Sequence, residues 1–216
     1  MKRTALTLFL ITGLSISVLA QADPKAKAIL VAVSKKYKSY DAIKTGFTLN
    51  LSNPQTGLNE TQSGTLYVKS KTNKYKVILK DQELISDGKS QWTYLKNDKE
   101  VQLTAVDKNA EGLNPAKLFT IYEKGFKSLY TGETKTNGKT YQNIDLSPID
   151  PKQPFFKIKL KIDKLSKQIS SAVIYDKNGS HYTYAIKTFE ANVKVADSVF
   201  AFDARKYPGV EVVDLR

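Results

Sequence analysis

The chain has 216 residues with no cysteine, one histidine and a formal charge of +13. A disulfide-stapled fold is excluded, and soft ligands are too few for a zinc or copper centre. With 41% hydrophobic and 25% charged residues, the chain has a globular balance in which a hydrophobic core must hold the fold by itself.

Lys2 and Arg3 precede an apolar run from Ala5 to Ala20, and Ala20-Gln21-Ala22 supplies a small-x-small pattern. This reads as an export signal over residues 1–22, too short and too softly flanked for a membrane span. Cleavage near Ala20 or Ala22 is expected to leave residues 23–216 as one exported domain. No cysteine follows the apolar run, so no lipid anchor of its own is expected. Without Lys2 and Arg3 the charge is +11. Such a charge can steer a protein to anionic surfaces. The lysines are scattered, however, and no arginine cluster suits nucleic-acid grooves, so no nucleic-acid partner is expected.

Asp23-Pro24 supplies an N-cap and a first-turn proline. Ala26, Ile29 or Leu30, Val33 and Tyr37 then recur at helical spacing, predicting one amphipathic helix that ends near Tyr40. From Ile43 the period becomes two: Phe47, Leu49 and Leu51 alternate with Thr48, Asn50 and Ser52. Further strands are expected over about 60–69 and around Tyr75, Val77 and Leu79. Asp87-Gly88 predicts a hairpin turn, because glycine takes positive φ at little cost. Beyond it Trp92 and Tyr94 share one face, placed here on the buried side, and Val101, Leu103 and Ala105 follow. Asn114-Pro115 caps a short helix with Leu118, Phe119 and Tyr122 on one side.

The sheet resumes near Phe126, and Asn137-Gly138 turns into a strand from Tyr141 to Leu146. After Pro148, Pro151 and Pro154 comes the clearest alternation of the chain: Phe156, Ile158, Leu160 and Ile162 against Lys157, Lys159 and Lys161. Ile169–Tyr175, the Asn178-Gly179 turn and His181–Ile186 make another hairpin, and Val199, Phe200 and Phe202 a last strand. Ten or eleven short strands with two or three helices imply a mainly β (α+β) domain. Its antiparallel meander is rolled into a barrel or half-barrel, of which two short helices can cover only one mouth.

Chemistry is hard to place on this frame. His181 sits in a strand with no Gly-x-Ser-x-Gly elbow anywhere. The acidic residues Asp145, Asp150 and Asp163 are spaced unlike a calcium loop, and no glycine loop suits phosphate. No enzyme, metal or cofactor is expected. Twelve tyrosines and nine phenylalanines suit an ordinary β core, but a long meander with few helices leaves a concave apolar face hard to fill. The inner face is therefore assigned to Phe47, Leu49, Tyr75, Val77, Leu79, Trp92, Tyr94, Leu103, Phe156, Ile158 and Leu160, with Ile29 and Val33 on the lid.

Four segments stand out in order: Val33-Ser34-Lys35-Lys36-Tyr37-Lys38-Ser39-Tyr40 with Ile43 to Phe47, Gly64-Thr65-Leu66-Tyr67-Val68-Lys69, Ile85 to Tyr94, and Phe200-Ala201-Phe202-Asp203 leading into Pro208-Gly209-Val210-Glu211-Val212. Together they resemble the outer-membrane lipoprotein carrier (LolA) family, especially its bacteroidete-type members. The resemblance implies a helix-capped, unclosed barrel with an apolar cavity. It also implies a monomeric periplasmic carrier that takes acylated lipoproteins from an inner-membrane ABC-type release complex to an outer-membrane acceptor. Lys71-Thr72 stands where the family has Arg-Pro, which makes Lys71 the lid latch by position. Lysine keeps the charge without the planar fork. Alternatives are a carrier of another envelope lipid and a sensor of mislocalised lipoproteins.

Overall fold

In a computed structural model of the chain, residues 23–106 and 119–216 are described. The expected export signal and the Asn114-Pro115 helix start lie outside them. Helix α1 (Pro24–Lys38) precedes six strands: β1 (Ile43–Asn53), β2 (Leu58–Lys69), β3 (Lys74–Ile78), β4 (Gln82–Ser86), β5 (Ser90–Leu95) and β6 (Glu100–Ala105). Six more follow: β7 (Phe126–Thr136), β8 (Lys139–Pro148), β9 (Phe155–Asp163), β10 (Ile169–Asp176), β11 (His181–Ala191) and β12 (Glu211–Asp214). All twelve form one open sheet in the order β12-β6-β5-β4-β3-β2-β1-β11-β10-β9-β8-β7. Two meanders, β1–β6 and β7–β11, are joined by the long antiparallel β1–β11 ladder. The β6–β12 pair is parallel.

The local signals act as chemistry requires. Asp23 caps α1 by accepting from the N–H groups of Lys25 and Ala26 at 2.8 and 3.1 Å. Its other carboxylate oxygen accepts from the Tyr130 N–H of β7 at 2.8 Å, so one side chain both starts the helix and fastens it to the sheet edge. At the β4–β5 turn Gly88 has φ +91, and a Cβ there would lie 2.5 Å from the Thr72 carbonyl oxygen, so only glycine fits. The Asp87 carboxylate accepts from the Lys89 and Ser90 N–H groups, both at 2.8 Å.

The main core lies between α1 and one face of the sheet, here called the inner face. Directly paired residues share a face, so the registers define its rows. Ile43, Val68 and Tyr75 form one row, and Leu66, Val77 and Leu84 the next. Across the other meander, Ile144, Leu160, Ala172, Tyr184 and Leu49 line up. Ala26, Ile29, Leu30, Val33 and Tyr37 of α1 are buried against these rows. Gly64 has no side chain to intrude: a Cβ would stand 2.6 Å from Phe47 Cζ and 2.7 Å from Leu79 Cδ2.

Three expectations need correction. Phe200 belongs to a 3-10 turn, Asp197–Phe200, and not to a strand; the last strand is the parallel β12. Trp92, Tyr94 and Leu103 are not on the inner face. Ile85 pairs with Trp92 and Trp92 with Leu103, while Glu83 pairs with Tyr94, and these rows alternate with those of Tyr75 and Val77. Their cover is the C-terminal segment, which crosses the outer face before β12. Tyr207 packs on Tyr94 at 4.8 Å and its hydroxyl donates to Glu83 at 3.2 Å. Phe200 and Ile85 are each 1% exposed. The inner positions of β5 and β6 are Gln91, Thr93, Gln102 and Thr104. Reading the larger side chains as inward put the phase of β5 one residue out.

Phe156 is the third correction. It is 50% exposed, while Phe155 is buried. The β9–β10 register shifts between Tyr175 and Asp176, so Asp176 faces Phe155 and Tyr175 faces Lys157. Phe156 is the extra residue of this bulge and the alternation ends before it.

If the outer C-terminal cover is a second structural core, Phe200→Ala should cost about 3–5 kcal/mol in urea unfolding without changing the inner face. The Asp23 cap gives a pH test. The Tyr130 and Ala26 N–H groups hold its carboxyl below the ordinary value of 3.8. Its contribution is therefore complete above that value and lost as pH falls through the lowered one. Thermal melting of Asp23→Asn followed into acid should lack this component.

Candidate functional site

Nine of the thirteen residues assigned to the cavity meet in one apolar layer: Ile29, Val33, Phe47, Leu49, Tyr75, Val77, Leu79, Ile158 and Leu160. Leu49 is half-buried, and the other eight are buried. The layer also contains Ile43, Leu66, Val68, Ile144, Leu146 and Ile162, which that assignment did not name. Their signal was present, since Leu66 and Val68 alternate in β2 and Ile162 continues the β9 series. Phe189 and Ile186 both turn inward although they are three residues apart. A bulge in the β1–β11 ladder pairs Gly46 with Thr188 and Phe47 with Ile186, and no period-two pattern shows it.

Aromatic rings close the layer beneath the C-terminal turn of α1. Tyr37 stacks on Phe119 at 4.6 Å and meets Phe189 edge-on at 5.8 Å. The Tyr37 hydroxyl accepts from the Ile169 N–H at 3.0 Å, and burial raises its pKa. Burial likewise pushes the Tyr75 phenol up to about 12. Its hydroxyl donates to Gln91, where the inner face turns polar. Two polar atoms of buried residues, Tyr122 Oη and Gln142 Oε1, have no hydrogen-bond partner among the described residues. An unpartnered buried group of this kind costs about 1–3 kcal/mol.

Outside this layer the ties of α1 are polar and mostly at the surface. Lys38 pairs with Glu123 at 2.7 Å and Lys36 Nζ donates to the Ser166 carbonyl at 2.6 Å. Lys25 lies 3.8 Å above the Tyr130 ring. Lys71, in a 3-10 turn between β2 and β3, reaches Asp41 just beyond α1 at 2.6 Å. The Lys71 hydrogen bond lowers the Asp41 pKa. The two side chains are 63% and 81% exposed, so solvent screens the pair and it adds little to stability. Lys71 thus joins the end of the helix to the sheet through one exposed ion pair.

Two open spaces flank the layer. A groove of about 810 Å³ runs beside α1, lined by Leu30, Val31 and Ser34 with Tyr122 and Phe126 opposite. A cleft of about 860 Å³ lies between the β9–β10 turn and the last part of β11. His181 lies 4.6 Å from the Tyr175 ring in a T-shaped contact. Among the described residues no three His, Cys, Asp or Glu side chains gather as a metal site, and no helix is long and apolar enough to cross a membrane.

The family model described as outer membrane lipoprotein carrier protein LolA matches residues 38–203. An uncharacterized conserved protein from Thermus thermophilus superposes with a TM-score of 0.57 at 13% identity, over 88% of this chain and 99% of that one. A LolA superfamily protein from Nitrosomonas europaea gives 0.47 at 10% identity, over 82% and 97%. A putative outer membrane lipoprotein-sorting protein domain from Vibrio parahaemolyticus gives 0.48 at 14% identity, over 81% and 97%. No curated protein sequence matches the chain. The Thermus likeness speaks to the fold alone. The family match spans most of the chain, from the end of α1 to the outer C-terminal segment, and on it this chain belongs to the LolA family.

Proposed function

We propose that this protein is a periplasmic carrier that shelters lipoprotein acyl chains between the inner face and α1, moving them from the inner to the outer membrane. One observation carries the reading: a continuous apolar face on an unclosed sheet is covered by a single helix, α1, held mainly by burial of its apolar side chains. Ile29, Leu30 and Val33 contribute roughly 1.5–3 kcal/mol each by burial. A sixteen-carbon acyl chain gains roughly 10 kcal/mol on leaving water, at about 0.8 kcal/mol per methylene. Helix and acyl chain therefore compete for one face on nearly equal terms, as a carrier that must both hold and release requires. The Tyr122 hydroxyl would donate to an ester carbonyl of an acylated head, and Gln142 Oε1 would accept from an amide N–H. An inner-membrane ABC-type release complex and an outer-membrane acceptor are the proposed donor and receiver, and Lys71 the proposed latch.

Mass spectrometry of what co-purifies with tagged protein from its native envelope tests the reading. Acylated lipoproteins should be recovered. Leu49→Glu, at a half-buried inner position, should reduce recovery by about ten-fold or more, while Phe156→Ala on the outside leaves it unchanged. Recovery of phospholipid or another lipid alone would move the cargo to a different envelope lipid, and equal recovery with Leu49→Glu would remove the inner face as the site.

The latch has its own signature. Lys71→Glu should speed exchange of a bound fluorescent fatty acid several-fold and leave the melting temperature nearly unchanged, because the pair is exposed. An unchanged exchange rate would mean that the Lys71–Asp41 contact does not gate the helix.

A further inference from the structure

At the rim nearest the end of α1 the sheet parts. β10 pairs with β11 only from Ser171 with Ala185 to Tyr175 with His181, while β11 continues along β1 to Ala191. The bulge at Gly46 and Phe47 accompanies the separation: the Gly46 N–H donates to Thr188 Oγ1 at 2.9 Å, and a Cβ on Gly46 would stand 2.8 Å from that atom. The 860 Å³ cleft occupies the gap. Ile169, Ile186 and Phe189 line it, and all three belong to or pack on the inner core. The seam thus runs from the surface to the apolar layer.

Its mouth is basic. Lys139, Lys164, Lys167 and Lys187 line it against one carboxylate, Asp163, which is engaged by the Leu165 and Ser166 N–H groups of its own turn at 3.0 and 2.8 Å. Lys164 is paired with Glu133 at 2.9 Å. Lys139, Lys167 and Lys187 are in none of the ion pairs among the described residues, although Lys139 is near enough to Asp163 to help lower its pKa. Between Lys164 and Lys167, at the tip of the β9–β10 turn, Leu165 is 95% exposed, the most exposed large apolar side chain among the described residues.

We infer that this rim docks on an anionic phospholipid surface, with the lysines at the phosphates and Leu165 inserted among the headgroups. An aliphatic tip flanked by cations matches the two-part attraction that holds peripheral proteins on bilayers, shallow apolar insertion together with charge. Charge alone would also suit an acidic peptide, but a leucine held almost fully in water favours a surface with an apolar layer beneath its charges. The inference does not depend on which cargo the inner face carries.

Co-sedimentation of the cargo-free protein with vesicles tests it. Vesicles of equal parts phosphatidylcholine and phosphatidylglycerol should bind the protein, and pure phosphatidylcholine vesicles should not. Each rim lysine is worth about five-fold in partitioning, so the triple variant Lys139→Glu, Lys167→Glu, Lys187→Glu should lose about 100-fold or more. Leu165→Ser should lose up to about ten-fold, and at an exposed tip it leaves the fold intact. The same charge change at Lys80, Lys89 and Lys152, exposed residues away from the cleft, should cost much less. Equal losses from the two triple variants, equal binding to both vesicles, or full binding by Leu165→Ser would each overturn the proposal. Cargo recovered from the native envelope is a separate readout, so failure here is distinguishable from failure of the carrier reading.

Discussion

An open sheet with one aliphatic face has to hide that face, and everything else in this protein follows from how it does so. A closed barrel would fill its interior with its own side chains. This sheet ends instead at two edges, β7 and β12, and relies on α1 as cover. The helix is narrow for a broad face. Its five buried side chains, Ala26, Ile29, Leu30, Val33 and Tyr37, provide most of the contact, and the polar ties at its ends fix direction more than they add energy. A lid held mainly by apolar burial can be displaced by any ligand offering similar apolar area.

The β3–β6 region is held differently. Its inner rows fade from Val77 and Leu84 to Thr93 and Gln102, while its outer rows carry Ile85, Trp92 and Leu103 beneath the C-terminal segment. Lys69 and Lys74 both reach Asp197 at the start of that segment, and β12 finishes it by covering the edge of β6. These strands are therefore stabilised from outside. Their outer core is separate from the layer beneath α1, so under the proposed carrier reading α1 could be displaced without disturbing it.

Bulges decide where the wall is interrupted. The one at Gly46 and Phe47 turns both Ile186 and Phe189 inward and lets β10 and β11 diverge at the rim. The one beside Phe155 throws Phe156 outward. A bulge shifts side-chain phase by one residue, so each has a consequence far larger than its length: one opens a seam, and the other removes an aromatic ring from the interior.

The sequence by itself determined the elements: the Asp23-Pro24 helix start, the Asp87-Gly88 and Asn178-Gly179 turns, and the period-two strands with few helices. These signals act between residues close in the chain, where capping, positive φ and alternation are local physics. It also determined which residues of α1, β1, β3 and most of β9 face inward, because on those elements a single stripe is apolar. Only the tertiary structure decided the side on which Trp92, Tyr94 and Leu103 are buried, since both faces of β5 and β6 are covered and the cover of one comes from residues a hundred positions later. It decided Phe156 and Phe189 through bulges whose cause lies in the pairing of two strands. And it decided that Lys139, Lys164, Lys167 and Lys187, unremarkable singly in a chain of thirty-four basic residues, surround one cleft, because proximity across strands is set by the order of the sheet and not by the order of the chain.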